Sequence, residues 1–401
     1  MSLITQPVRA ETAGKGLAAI VLAAGYSARM VEFKPLLPLD GIMAFERCIE
    51  LFREAGISEV ITVLGHRANE LQPVAERKGA RAIINPRFAE GMFSSIVAGS
   101  DTLPGWAEAA FVLPADIPLV RPTTVRQLAS AWASRRAGIV YPVFEGYRGH
   151  PPLIARDILA ESAHTTRSGR LSSLLGSHER VAVDEPVADE AIHLDMDTPA
   201  DYDVLVSLAS RRDIPTAAEC EAILAMQRVE ARVIRHARKV AHVANCLAEA
   251  LVGSGLKLDL ELVRAGALLH DVAKGQPEHA VAGASLLRSM NFGRVAKVVE
   301  THTDLGDDFE LDEKTLVYLA DKLVRGEDLV TLNERFQPAL DRFVKNKAAR
   351  QAARKRLAIA KDLELAVETR LGLPLALVLS KDPEANGRRE LKRIAHEVAN
   401  I

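Results

Sequence analysis

The first half of the chain alternates short, continuously apolar runs with stretches of helical period. Gly16 to Ala24 (GLAAIVLAA) is unbroken and ends at Gly25, the pattern of a buried parallel strand feeding a loop. Helical spacing follows over Ala44 to Ala55, and Glu59 to Leu64 (EVITVL) predicts the next strand, stopped again by a glycine. Further on, helices are predicted over Ala68–Lys78, Ser94–Asp101 and Thr123–Arg135, with strands over Ala82–Ile84, Ala109–Leu113 and Gly138–Val143. Strands alternating with helices predict an α/β domain built on a doubly wound, mostly parallel sheet. Such sheets bind ligands beyond the carboxyl ends of their strands, and Gly25 and Asp116 both lie just past such ends.

The pattern changes after Tyr202. Ser207 to Pro215 (SLASRRDIP) carries charge and a proline and reads as linker. From Thr216 onward strand signals vanish. Helical patterns run through Ala217–Gln227, Val229–Val252, Leu260–His270, His279–Met290, Arg294–Glu300 and Leu311–Val324, so an all-α domain is expected. Gln337 to Arg370 reads as one long charged helix or a pair, a solvated cover or oligomer contact rather than a nucleic-acid arm. The expected division is a tail over 1–15, an α/β domain over 16–206, a linker over 207–225, a helical domain over 226–336 and a helical extension over 337–401.

Composition narrows the class. A chain of 401 residues exceeds one typical core. Its hydrophobic content of 48% and net charge of −2 describe a globular protein with no basic excess for nucleic acid. Aromatics are only 4%, so base stacking is not expected to be a major theme. Cys48, Cys220 and Cys246 are widely separated, which fits a reducing cytoplasm. Met1 to Lys15 lacks the apolar segment of a signal peptide, and no apolar run approaches the ~20 residues that span a bilayer.

Two sets of residues carry candidate chemistry. In the first half, Ala23-Ala24-Gly25 follows a buried strand, and Gly25 allows close approach of backbone to a phosphate. Arg29 and Lys34 lie in the same loop, and Asp116 follows a strand between two prolines, Pro114 and Pro118. Amides to cradle a triphosphate, cations for its charge and a carboxylate for Mg²⁺ are what nucleotidyl transfer requires. No GK[ST] follows, so the loop is not a Walker A motif. In the second half, His236, His270-Asp271, His279, His302 and Asp321 fall on separate predicted helices. Imidazole and carboxylate suit divalent cations, and ligands spread over several helices imply that the helices converge. Asp321 lies inside the apolar run Val317 to Val324, where a carboxylate needs a partner. Lys274, one turn after Asp271, is placed to meet a phosphate.

The first set resembles the molybdenum-cofactor nucleotidyltransferase family of the nucleotide-sugar-transferase-like superfamily. The family pattern LAAGxSxRMGxxK is matched by Leu22 through Lys34, with Val31 in place of its glycine. The resemblance assigns the nucleotide cradle to Leu22, Ala23, Ala24, Gly25, Arg29 and Lys34. It adds a nucleobase-side segment, Asn85 to Ser95, with Asn85, Gly91, Ser94 and Ser95. Asp116 takes the place of the Mg²⁺ aspartate. Arg148-Gly149-His150-Pro151 resembles the RGHP motif of the branch that makes molybdopterin cytosine dinucleotide, and so implies substrate binding. Leu194 to Asp201 resembles the closing segment, with Asp195 as the expected second Mg²⁺ contact and Asp197 behind it. The implied reaction is in-line attack of the terminal phosphate of molybdopterin on the α-phosphate of CTP, with Arg29 and Lys34 steadying the leaving pyrophosphate. The partners so implied are CTP or another NTP and molybdopterin or a related phosphorylated acceptor, with a molybdenum hydroxylase as the recipient of the cofactor in the chaperone alternative below; no membrane or nucleic acid is expected. Two alternatives stay open: transfer to a sugar phosphate or alcohol phosphate, and a non-catalytic cofactor chaperone. Retention of Arg29, Lys34 and Asp116 speaks against the second.

The second set resembles the HD-domain metal-dependent phosphohydrolases over roughly residues 226 to 335. His236, His270, Asp271 and Asp321 map onto the four core ligands, and His279 and His302 fall where some branches hold a second metal. Tyr318 to Leu323 is similar to the branch that hydrolyses symmetrical dinucleoside polyphosphates. The resemblance implies one or two divalent metals, with Fe, Mn, Zn and Mg all open, and water attack on a phosphoester or phosphoanhydride. His242 is expected to be structural, and His150, His164, His178 and His193 form no ligand cluster by spacing. Together the two resemblances predict a bifunctional cytoplasmic enzyme.

Overall fold

Strand β1 (Leu17–Ala23) is buried at every residue, which is why its sequence is apolar without alternation. The computed structural model describes residues 14–27, 30, 32–162, 171–306 and 309–380. The chain divides into two compact units, 1–212 and 213–401. No helix among the described residues is long and apolar enough to cross a membrane.

In the first unit the short hairpin β2 (Pro38–Leu39) and β3 (Ile42–Met43) leads into helix α1 (Ala44–Glu54). There follow β4 (Glu59–Leu64), α2 (Ala68–Arg77), β5 (Arg81–Ile84), α3 (Met92–Asp101), β6 (Ala109–Pro114) and α4 (Pro122–Arg135). The unit closes with β7 (Ile139–Phe144), β8 (Tyr147–Arg148), β9 (Leu153–Ala155), α5 (Arg156–Glu161), α6 (Leu171–Ser177), β10 (Ala182–Pro186) and α7 (Pro199–Ala209). The sheet order is β10-β7-β9-β6-β1-β4-β5, with β8 beside β7. β5, β4, β1 and β6 run parallel, and β9 is inserted antiparallel between β6 and β7. The mostly parallel α/β sheet is therefore as the hydrophobic pattern predicts. Strands β9 and β10 were not predicted. β9 has three residues, and β10 (AVDEP) is a half-exposed edge strand with two carboxylates and no apolar run.

The second unit contains α8 (Ala217–Met226), α9 (Ala231–Gly253), α10 (Leu260–Leu269), α11 (His279–Ser289), α12 (Gly293–Thr301) and α13 (Glu313–Lys322). Then come α14 (Leu332–Arg342), α15 (Lys347–Leu371) and α16 (Leu375–Ser380). Thr216 caps α8 and Asp312 caps α13, each in a reciprocal box with the third helical residue. Most of 207–225 is helical, and only residues 210–216 lie between α7 and α8. The expectation of a domain without strands needs one correction. A hairpin of two-residue strands, β11 (Val324–Arg325) and β12 (Asp328–Leu329), turns at Gly326, which has φ 68°. Strands that short leave no periodic signal, but this turn helps to set the site below.

Helices α10 and α12 approach closely at Gly266. A Cβ there would stand 2.5 Å from Val298 Cγ1 and 3.1 Å from Val298 Cβ. Gly266→Ala is expected to destabilise this unit by about 1–3 kcal/mol through overpacking. Urea unfolding checks this, and an unchanged midpoint would mean that the helices are not held at this separation.

Candidate functional site

A cleft of about 340 Å³ opens at the carboxyl ends of β1 and β6, lined by Ala24, Gly25, Lys34, Gly91, Ser95 and Asp116 among others. Lys34 is only 8% exposed, and its amide donates to Ser27 Oγ at 3.2 Å. Its ammonium donates to Asp197 Oδ1 at 2.7 Å and stands 3.6 Å from Asp116 Oδ2. The amide of Met196 donates to the Asp116 carbonyl at 2.9 Å, which ties the closing segment to the end of β6. Asp197, expected behind Asp195, is thus the residue that touches Lys34. Asp195 has its pKa raised by burial first, then by the negative charges of Asp197, Asp116 and Asp201.

Asn85 is 1% exposed and donates to Ser94 Oγ at 2.8 Å and Ser95 Oγ at 3.1 Å, while its own oxygen accepts from the Arg87 amide. Ser94 passes its proton to main-chain carbonyls of the same loop. Asn85 and Ser94 therefore shape the 85–95 loop, and Gly91 and Ser95 face the cleft. Arg148 lies elsewhere, on the β7–β8 hairpin. It donates to Asp184 at 2.6 Å and to Glu179 at 2.6 and 2.9 Å, and its guanidinium covers the Tyr141 ring. Gly149 has no room for a side chain, since a Cβ would lie 2.6 Å from the Ile192 carbonyl oxygen. His150 is held by its amide to Ile192 O, and its Nδ1 is buried without a partner among the described residues. Burial pushes its imidazole below the usual pKa, against the Val112 carbonyl and the Asp116 charge. Pro151 follows it. Arg29 lies outside the described residues, as do Val31 and His164. Sequence reasoning passed over Tyr26, Phe88 and Met92, which line the cleft. Tyr26 and Met92 are more than half exposed there. Tyr26 falls on an open position of the LAAGxSxRMGxxK pattern, and Phe88 and Met92 are apolar residues whose place at the cleft only the fold shows.

The second unit gathers all six predicted ligands. His236, His270 and Asp321 form one trio and Asp271, His279 and His302 a second, with the ligand atoms of each within 4.8 Å of one another. The backbone sets the imidazoles. His236 Nδ1 is 2.9 Å from the Gly326 carbonyl of the hairpin, His270 Nδ1 is 2.7 Å from Ala267 O, and His302 Nδ1 is 2.6 Å from Val299 O. A carbonyl only accepts, so each Nδ1 carries the proton and each Nε2 lone pair is left for the centre. His270 and His302 are the C-cap residues of α10 and α12, and Asp321 is the penultimate residue of α13.

Asp271 joins the trios. Its Oδ1 is 3.2 Å from His279 Nε2 and 3.4 Å from His302 Nε2, and its Oδ2 is 3.5 Å from His270 Nε2 and 3.0 Å from Lys274 Nζ. Asp321 Oδ1 faces His236 Nε2 at 3.1 Å and His270 Nε2 at 3.7 Å. His270 Nε2 is buried with no hydrogen-bond partner among the described residues. An orphaned lone pair between two carboxylates is what a divalent cation would complete. Burial opposes ionisation of Asp271, but His270, His279 and His302 outweigh it and hold the carboxyl far below the usual range. Burial likewise disfavours charge on His270, yet the two carboxylates and the Ala267 carbonyl push it above the usual value. A proton and a divalent cation therefore compete for that nitrogen. At His302 burial wins and pulls the imidazole down. Lys274, about half exposed, flanks the centre on its open side. His242 is outside it, with Nε2 3.9 Å from Cys246 Sγ.

Comparison with known proteins agrees with this division. Residues 19–181 match the model of the MobA-like NTP transferase domain, and residues 233–326 match that of the HD domain. The chain is 29% identical over 186 residues to the molybdenum cofactor cytidylyltransferase of Escherichia coli, covering 46% of this chain and 92% of that protein. It is 31% identical over 140 residues to a tRNA (cytidine(56)-2'-O)-methyltransferase of Picrophilus torridus, covering 30% and 40%. A nucleotidyl transferase from Methanothermobacter thermautotroptrophicus superposes with a TM-score of 0.44 at 22% identity, covering 49% of this chain and 98% of that one.

Proposed function

We propose, for a chain that joins a MobA-like NTP transferase domain to an HD domain, a bifunctional enzyme of phosphate chemistry. The first unit transfers CMP from CTP to molybdopterin with release of pyrophosphate. The observation that carries this is Lys34, buried at the base of the cleft between Asp116 and Asp197. The amides after β1 cradle the triphosphate, and Lys34 takes up charge on the phosphates as the bond to the leaving pyrophosphate breaks. Asp116 and Asp197, hard oxygen donors, suit Mg²⁺, which when bound would orient the phosphates and neutralise their charge. Gly91 and Ser95 form the wall facing the nucleoside. The choice of CTP and molybdopterin is supported by the RGHP segment and by the named activity of the Escherichia coli relative.

The second unit hydrolyses a phosphoester or phosphoanhydride. One or two divalent ions, held by His236, His270, Asp271 and Asp321 and by Asp271, His279 and His302, would supply activated water and polarise a phosphoryl oxygen. The locked Nδ1–H bonds hold the imidazoles in ligating geometry, and Lys274 meets substrate charge from the open side.

Pyrophosphate release from CTP, GTP and ATP with Mg²⁺, each with and without molybdopterin, tests the transferase reading. Release that needs both CTP and molybdopterin is expected. Release with a sugar phosphate instead would change the acceptor, and tight molybdopterin binding with no release would favour a carrier.

A further inference from the structure

The centre of the second unit contains a buried cation of its own. Lys322, the last residue of α13, is 8% exposed. Its ammonium donates to Asp321 Oδ2 at 2.6 Å and to the main-chain carbonyl of His302 at 3.0 Å. It also lies 4.6 Å from the centroid of the Tyr318 ring, which is fully buried and bonded through its hydroxyl to the Arg356 carbonyl. The lysine therefore bonds one residue of each ligand trio and faces away from solvent.

The two oxygens of Asp321 are divided by this contact. Oδ1 faces His236 and His270, and Oδ2 is taken by Lys322. A carboxylate with one oxygen so engaged offers the other at a fixed angle, and outer-shell partners of this kind set the orientation and affinity of ligands. The second bond holds the peptide of His302, whose ring joins the other trio. A lysine ammonium has three N–H donors, so one residue can serve both duties, which a neutral apolar residue could not. Burying that charge is tolerated because Asp321 and an aromatic face surround it.

We propose that Lys322 is a positioning residue of the metal centre: it restricts Asp321 to a single ligating oxygen and fixes the spacing between the two trios. The proposal rests on the reading of this centre as a metal site. It concerns a side chain that ligates nothing and, buried behind Asp321, is not placed to touch substrate.

The test is titration of the full-length, chelator-stripped protein with Mn²⁺ alone, followed by the electron paramagnetic resonance signal of free Mn²⁺. Lys322→Met, which keeps the stem and removes the charge, is expected to weaken binding by about 10–100-fold. With Mn²⁺ raised to saturation, its KM for p-nitrophenyl phosphate is expected to stay within about twofold of the natural protein. Unchanged Mn²⁺ affinity in the folded variant overturns the proposal, and so does unchanged affinity with a raised KM, which would make Lys322 a substrate contact. If the Met variant does not fold by circular dichroism, Lys322→Gln is held to the same criterion. A natural protein that fails to bind Mn²⁺ would sink the metal reading itself, whereas normal binding by natural protein and variant alike sinks only the role of Lys322.

Discussion

Asp116→Ala is expected to lower CTP-dependent pyrophosphate release by on the order of 10²–10³-fold, the size of effect seen when one group that stabilises developing charge is removed. The loss should fall on catalysis and not on folding. Among the described residues the Asp116 side chain makes one long ion-pair contact, 3.6 Å to Lys34, while the main chain that locks this turn, Met196 N to Asp116 O, is untouched. Lys34 also keeps its closer bond to Asp197. Thermal melting should therefore stay close to that of the natural protein. Transfer within tenfold of normal would remove Asp116 from the reaction and with it the assignment of the cleft.

Asp271 should produce the largest effect in the other unit. Its two oxygens face different trios, so Asp271→Asn is expected to reduce bound metal at both and to suppress phosphoester hydrolysis by more than the ~10–100-fold typical of an outer-shell change. His279→Ala provides the contrast, because it touches one trio only. Elemental analysis of the purified variants separates them. Full metal content in Asp271→Asn would show that this carboxylate is not needed to hold metal, and a total loss in His279→Ala would show that the trios are not separable.

The two sites differ in how far the sequence disclosed them. In the helical unit the six candidate ligands were legible because their order along the chain resembles that of the HD domains, and the fold brings them together in two trios. Lys322 escaped notice because a lysine at a helix terminus is ordinary by pattern. Its burial depends on Tyr318 and on the end of α12, which meet it only in the fold. The hairpin that orients His236 through Gly326 was likewise invisible in strands of two residues. In the α/β unit the central strands and the Gly25 loop were legible from unbroken apolar runs. Strands β9 and β10 were not, since one is too short and the other too polar for periodicity to act on. Lys34 and Asp197 are far apart in the chain, and no spacing rule favours that pairing over Asp195. The RGHP resemblance marked Arg148 for substrate, but its pairing with Glu179 and Asp184, which lie 31 and 36 positions further on, has no signal in the sequence.

The positions of His270, His302 and Asp321 at helix C-termini have a consequence that does not involve their side chains. A helix carries the equivalent of about half a negative charge at its carboxyl end, from peptide dipoles that no mutation of a side chain can remove. With α10, α12 and α13 all ending on one centre, the path of the main chain itself makes that point a negative pole. The fold attracts positive charge there in general, and the imidazoles and carboxylates would then determine which cation is kept.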